Sequence, residues 1–254
     1  MAIVETVQSP VELPQGANWN LTEAEHHYGG FYDGLPIHAD SAKVHERAME
    51  LLLKHLPPPA RVVDVGAGAG SFSKRMLNHG YDVEAIEIRP DAFQVADVPV
   101  HALDLQRDWA EELPRRFDGL VTLEVFEHLE NPWHFARQCA AALRPGGLLV
   151  MSTPNIESSR SRIEFLLRAE FRFFGEQAYR KIGHVTSMTS QQIGWCFGQA
   201  GLEFVDRSYC RHKGMWKPGN PKRALRALLY ALSYPFMQGT WQGEESLIAF
   251  RKPA

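Results

Sequence analysis

Residues 62–72 read VVDVGAGAGSF, a β-branched apolar run that passes straight into three alternating glycines and then into helix-forming sequence. A chain can make that passage in few ways. Glycine accepts the left-handed backbone a tight turn needs and lets a ligand approach the main chain, while the unpaired N–H groups opening the next helix favour negative charge. The flanking pattern extends the constraint: strand 61–65, helix 70–79, strand 82–87, strand 99–102, strand 118–123, helix 133–143 and strand 147–152. Parallel strands need long crossovers, so this alternation predicts an α/β fold with a mostly parallel sheet and helices on both faces. Leu202–Ser208 and Ser246–Arg251 read as two further strands, seven in all.

Around this centre the punctuation is clear. Ala42, Val44, Ala48, Leu51, Leu52 and Leu56 recur at helical spacing, and Pro57-Pro58-Pro59 stops that helix. Residues 1–40, with Pro10, Pro14 and Gly16, read as an N-terminal arm and lid. The main domain then covers 41–254, with an insertion at 210–245 before the last strand. A helical stretch at 157–170 leads into a loop rich in Arg, Phe and Gly. Thr189 and Gln192 form a capping-box pattern opening helix 190–199, closed by Gly201. The length of 254 residues suits one large α/β domain with additions.

Charge and cysteine content narrow the classes. A net charge of −3 argues against a nucleic-acid partner, which calls for a strong positive excess. Three scattered cysteines, Cys139, Cys196 and Cys210, make no C-x-x-C pair and no even framework, so free thiols in a reducing compartment are expected. With no basic–apolar leader and no apolar run near the roughly 20 residues that span a bilayer, the chain is expected to be soluble and cytoplasmic.

The glycine turn alone leaves a dinucleotide open. The G-x-G-x-x-G pattern would need glycine at 71, where Ser71 stands, whereas Asp64 supplies D-x-G-x-G. Glu87, 21 residues after Gly66, ends the second strand, where an acid can hold ribose hydroxyls. Three further segments bear on the choice: HALDL at 101–105, FDGLVTLEVFEHLENP at 117–132 and LRPGGLLVMSTPN at 143–155. In this order and spacing, residues 45–208 closely resemble the class I methyltransferases that use S-adenosylmethionine (SAM). The resemblance implies a Rossmann-like fold with Gly66, Ala67, Gly68 and Gly70 beneath the methionine part of SAM and Asp64 near its amino group. It places Glu87, followed by Ile88, at the ribose, Asp104 and Leu105 at the adenine, and Leu123 and Glu124 beside the sulfonium. A sulfonium methyl is already electrophilic, so positioning supplies much of the rate, and an acceptor hydroxyl or amine needs a base.

Glu124, Glu127 and His128 stand at i, i+3 and i+4, which converge if the segment turns helically. Two carboxylates and an imidazole can bind Mg, Mn or Zn. The run resembles the E-x-x-E-H of the ubiquinone-biosynthesis O-methyltransferases and of the small-RNA 3′-end 2′-O-methyltransferases, where it is associated with a metal that orients the acceptor. His184, in GHVTSM, resembles the additional histidine of the RNA enzymes. The expected catalytic residues are therefore Glu127, His128 and His184, and the expected metal ligands are these with Glu124. A metal-free role for His128, as base or loop-fixing donor, stays open. Trp19, His26, His27 and Tyr28 fall on the lid.

Acceptor choice should lie in the additions to the common sheet. Phe165, Phe171, Phe173, Phe174 and Tyr179 interleave with Arg160, Arg162, Arg168 and Arg172, an aromatic and basic mixture that suits an anionic or glycosylated acceptor or simply a solvated helix face. KRALRALLYALSYPFM at 222–237 is amphipathic and basic, fit for peripheral membrane contact, for packing on its own domain or for a second subunit, the chain being a monomer or homodimer. The expected function is O-methylation of a small-molecule, sugar or lipid-like acceptor. A small-RNA methyltransferase, a nicotinamide-dependent oxidoreductase and a non-catalytic SAM-binding protein are the alternatives.

Overall fold

The computed structural model describes residues 30–37, 43–210, 225, 228, 231–232, 234–236 and 243–254. The arm with Trp19, His26, His27 and Tyr28, and most of the 210–245 insertion including most of 222–237, lie outside the described residues. The elements in chain order are β1 (Gly30–Tyr32), β2 (Leu35–Ile37), α1 (Val44–His55), β3 (Arg61–Val65), α2 (Ser71–Asn78), β4 (Asp82–Ile86), β5 (Val100–His101) and β6 (Phe117–Thr122). Then come α3 (Pro132–Ala142), β7 (Leu143–Pro154), α4 (Ser159–Arg168), α5 (Glu176–Ile182), α6 (Ser190–Gln199), β8 (Glu203–Cys210) and β9 (Glu245–Arg251).

Seven strands form one sheet in the order β5-β4-β3-β6-β7-β9-β8, the doubly wound arrangement the alternation predicted. β3 pairs in parallel with β4 and β6, and β6 with β7, whereas β9 runs antiparallel between β7 and β8. Strand residues alternate between two cores, as the two-residue repeat demands. Val63, Val65, Leu120, Leu149 and Met151 face a core completed by Phe135 of α3 and Phe197 of α6. Val62, Val121, Leu148 and Val150 face the other, completed by Leu52 of α1 and Met76 of α2. Both faces are therefore sealed, and function is confined to the sheet's ends and its additions.

Two elements go beyond the sequence reading. Within the expected lid, β1 and β2 form a hairpin whose turn, Asp33-Gly34, has positive φ at both residues (51° and 79°). The hairpin sits on α2, with the Arg75 guanidinium 4.2 Å from the centre of the Tyr32 ring. Helix α5 occupies part of the expected loop and ends on Gly183 in the left-handed region.

Candidate active site

The chain winds outward from β3 through β4 to β5, then returns to lay β6 and β7 on the other side of β3. The crevice beyond the carboxyl ends of β3 and β6 is thus the topological switch point, where open α/β sheets bind ligands. The glycine turn leaves β3 there, with φ of 77°, 55° and 87° at Gly66, Gly68 and Gly70. Two of these glycines are also required for space. A Cβ on Gly66 would lie 2.5 Å from Val125 Cγ2, and one on Gly70 2.7 Å from both Phe93 and Val95 side chains. The backbone N–H groups of Gly66 and Ala67 both donate to the Ile86 carbonyl, at 2.9 and 3.0 Å, tying the turn to the end of β4.

Carboxylates bracket the turn. Glu87 accepts from the Gly68 N–H at 2.9 Å and from the Arg89 N–H at 3.0 Å. Asp64, buried in β3, accepts from Ser73 Oγ at 2.6 Å, a link from strand to the first turns of α2. Burial, with a smaller push from the Glu87 charge, raises the Asp64 carboxyl to about 7, against the lowering effect of the Ser73 hydrogen bonds. Ile88 is exposed. On the next loop, Asp104 accepts from the Gln106 N–H at 2.9 Å and lies 3.4 Å from Arg107 Nε, while Leu105 packs on the core. Leu123, at the exit of β6, packs on the opposite core.

The exit of β6 carries the chemical groups, but not as one regular turn. Glu124 has φ 55°, in the left-handed region that a side chain rarely adopts. Its N–H donates to Ser152 Oγ at 2.9 Å, and Ser152 Oγ donates to Glu124 Oε1 at 2.7 Å. A 3-10 helix begins only at Phe126 and ends at His128. A regular helical turn from Glu124 onward does not form, since Glu124 lies in the left-handed region and the 3-10 helix starts two residues later, although the Glu124 charge still acts on Glu127. Glu127 and His128 meet His184 instead.

That trio is closely drawn. Among the described residues, Glu127, His128 and His184 each offer a donor atom within 4.8 Å of the others. The two imidazoles meet edge to face, their centres 4.8 Å apart. His128 Nδ1 faces the Gly183 carbonyl at 3.2 Å and His184 Nδ1 faces the Phe173 carbonyl at 2.8 Å. A carbonyl only accepts, so each Nδ1 carries the proton and each Nε2 keeps a lone pair. Burial holds both imidazoles below their ordinary range, His184 at about 4 with help from its neighbour His128. Glu127 is fully buried, and burial together with the Glu124 charge raises its carboxyl well above the usual range. Its Oε2 accepts from Thr153 Oγ1 at 3.2 Å, while its Oε1 has no hydrogen-bond partner. The N–H groups of Val185 and Thr186 donate to the Glu127 carbonyl at 2.9 and 3.0 Å, strapping the His184 segment over the turn.

Sequence reading missed the supports. Ser152 and Thr153 at the end of β7 hold Glu124 and Glu127, and Phe174 stands 5.5 Å from His184 between ring centres. STP at 152–154 offered hydroxyls at a strand's carboxyl end, a signal that only the β6–β7 pairing turns into a contact.

Relatives bear on this arrangement. Ubiquinone biosynthesis O-methyltransferase of Xanthomonas campestris pv. campestris (strain B100) is 38% identical over 108 residues, 39% of this chain and 44% of that enzyme. The matched stretch thus spans less than half of that relative. Among solved structures, a SAM dependent methyltransferase from Archaeoglobus fulgidus has a TM-score of 0.55 at 16% identity, covering 82% of this chain and 93% of that one. The 1,6-didemethyltoxoflavin-N1-methyltransferase of Burkholderia thailandensis, with bound 1,6-didemethyltoxoflavin and S-adenosylhomocysteine, has a TM-score of 0.54 at 19% identity, covering 83% and 78%. Both share the fold. A family model described as a methyltransferase domain matches residues 38–207, well over half of the chain, and this protein belongs to that family.

Proposed function

We propose that the protein transfers the methyl group of SAM to an oxygen of a small-molecule, sugar or lipid-like acceptor. The observation that carries this reading is the contact between two halves of one crevice. Gly66 of the glycine turn abuts Val125, which lies between Glu124 and the Glu127–His128–His184 group. A donor seated over Gly66–Gly70 between Asp64 and Glu87 would present its methyl toward the exit of β6. The bare Nε2 atoms of His128 and His184, neutral at physiological pH, are then placed to accept a hydrogen bond from the acceptor hydroxyl, although the burial that keeps them neutral also weakens them as bases.

The trio also fits a divalent cation. Glu127 has an unpartnered buried oxygen, and both histidines donate through Nδ1 to carbonyls, which fixes each ring and frees Nε2 for a metal. Glu127, His128 and His184 would hold it, with Glu127 losing its proton. When bound, such an ion supplies a Lewis acid that orients an acceptor oxygen and eases loss of its proton. Glu124 stands outside this set.

Three buried free cysteines support placement in a reducing compartment such as the cytoplasm. Among the described residues no helix is long and apolar enough to cross a membrane. Peripheral contact through 222–237 draws support from Leu225, Leu228 and Leu232, helical and exposed at successive turns.

Calorimetric titration of the folded protein should show SAM binding and no NADH binding; absence of SAM binding overturns the reading. Labelled-methyl transfer into a metabolite extract, with mass identification of the product, should yield a methyl ether. A methylated amine would move the reading to N-methylation. Activity that survives both chelation and His128→Ala would remove the role given to the trio.

A further inference from the structure

Four charged side chains close a ring beside the site. Arg160 and Glu164 project from α4, Arg172 follows from the next loop, and Glu244 stands just before β9 at the foot of the insertion. Arg160 reaches Glu164 at 3.1 Å and Glu244 at 3.0 Å. Arg172 hydrogen-bonds Glu164 at 3.3 Å, and its Nε lies 3.2 Å from Glu244 Oε2 as an ion pair without hydrogen-bond geometry. The charges alternate around the ring. Glu244 is buried, and the side chains of Glu164 and Arg172 are less than one-fifth exposed. Losing one member would leave its neighbours as desolvated, uncompensated charge.

The residue joined to this ring is strained. Phe173 adopts φ 68°, where a bulky side chain is an outlier that its surroundings must enforce. Arg172 stacks its guanidinium 4.4 Å from the Phe173 ring centre, and its own N–H donates to the buried Ser161 hydroxyl at 3.1 Å. The Phe173 carbonyl is the group that receives His184 Nδ1–H.

We propose that the Arg160–Glu164–Arg172–Glu244 ring is a positioning device, which holds Phe173 in the left-handed conformation so that its carbonyl fixes the tautomer and orientation of His184. The consequence for chemistry rests on the function proposed above, since it is His184 Nε2 that faces the acceptor or a cation. The ring also joins Glu244, at the foot of the insertion, to the site. His128 uses a different carbonyl, that of Gly183, and is outside this route.

The test reads the imidazoles directly. Nitrogen-15 NMR of the full chain at pH 8, with the His184 signals identified by their loss in His184→Gln, should show protonated Nδ1 and bare Nε2 for His128 and His184 in the unaltered protein. In Arg172→Met, His184 should shift to a mixture of tautomers while His128 keeps its pattern. Arg172→Lys, which keeps the charge but not the planar fork, should restore it in part. An unchanged His184 in folded Arg172→Met overturns the proposal. So does equal loss of pattern at both histidines, which would mark a general loosening. If Arg172→Met does not fold, Glu164→Gln carries the same reading with the same outcomes. SAM binding, measured by calorimetry on the same samples, should be unaltered; its absence from the unaltered protein would strike the functional reading while leaving the tautomer result intact.

Discussion

If SAM sits as proposed, Asp64 should make its affinity a function of pH, and the size of the effect follows from the surroundings of that carboxyl. Burial raises its carboxyl to about 7, with the Glu87 charge a lesser contributor. A neutral Asp64 offers a cationic amino group only a hydrogen-bond acceptor, whereas an ionised one adds its charge. A bound SAM ammonium would therefore pull the carboxyl back into its ordinary range and expel a proton. With a free-state value of about 7 and a bound-state carboxyl back in its ordinary range, linkage predicts that the dissociation constant rises about tenfold between pH 8 and pH 6. Each further unit downward costs about another 1.4 kcal/mol until the bound-state carboxyl also titrates. Calorimetry in two buffers of different ionisation enthalpy at pH 6 should report release of about one proton per SAM bound. At pH 8 it should report almost none. Asp64→Asn should bind more weakly at pH 8 and lose the slope. Ser73→Ala, which removes the 2.6 Å hydrogen bond that favours ionisation, should move the profile to higher pH. A dissociation constant that stays level from pH 6 to 8 with no proton released, or an Asp64→Asn variant that keeps the original slope, would refute the reasoning.

Gly66→Ala forces a Cβ to 2.5 Å from Val125 in a backbone with φ 77°; it should cost about 1–2 kcal/mol of stability from the backbone alone, read by urea unfolding, and weaken SAM binding further. Phe135 is fully buried between Trp109 and Phe126, so Phe135→Ala should cost about 3–5 kcal/mol in the same assay without changing the pH slope of SAM affinity. His45 is held at about 3, first by burial and then by the Arg75 charge, so the unfolded chain takes up a proton that the folded one refuses as pH falls below about 6.5. Its contribution is complete above that pH and is lost toward pH 3, by at most about 1.4 kcal/mol per unit. His45→Gln should flatten that part of the stability profile. Asp64 and Glu127, both raised, act in the opposite direction, so the comparison must be between the variant and the unaltered protein.

What the sequence made legible was set by range. Val62 and Val63 declare opposite faces of a strand by position alone, and the capping box at Thr189 and Gln192 places the start of α6 where the structure has it. Such signals are complete within a few residues, and they sufficed for the sheet. The β1–β2 hairpin was equally local: Asp33-Gly34 between apolar pairs is a type I′ turn signal, passed over because its neighbours in the arm carry no pattern. The site differs in kind. Glu124, Glu127 and His128 lie within five residues, yet spacing could not give the local path at Glu124, because spacing presumes a regular backbone and φ 55° at Glu124 breaks it. That conformation is stabilised by Ser152, 28 residues away, and the protonation of His184 is set by Phe173 through a loop that Glu244 helps to hold. Strain at Glu124 and at Phe173 is what local propensity disfavours, so no local pattern can announce it. Both strained residues border the same crevice, one holding a carboxylate and the other a histidine. Asp33, Lys43 and Ala169 share that backbone region at a turn and at helix caps, so strain marks the site only where a partner distant in sequence, such as Ser152 or His184, accompanies it.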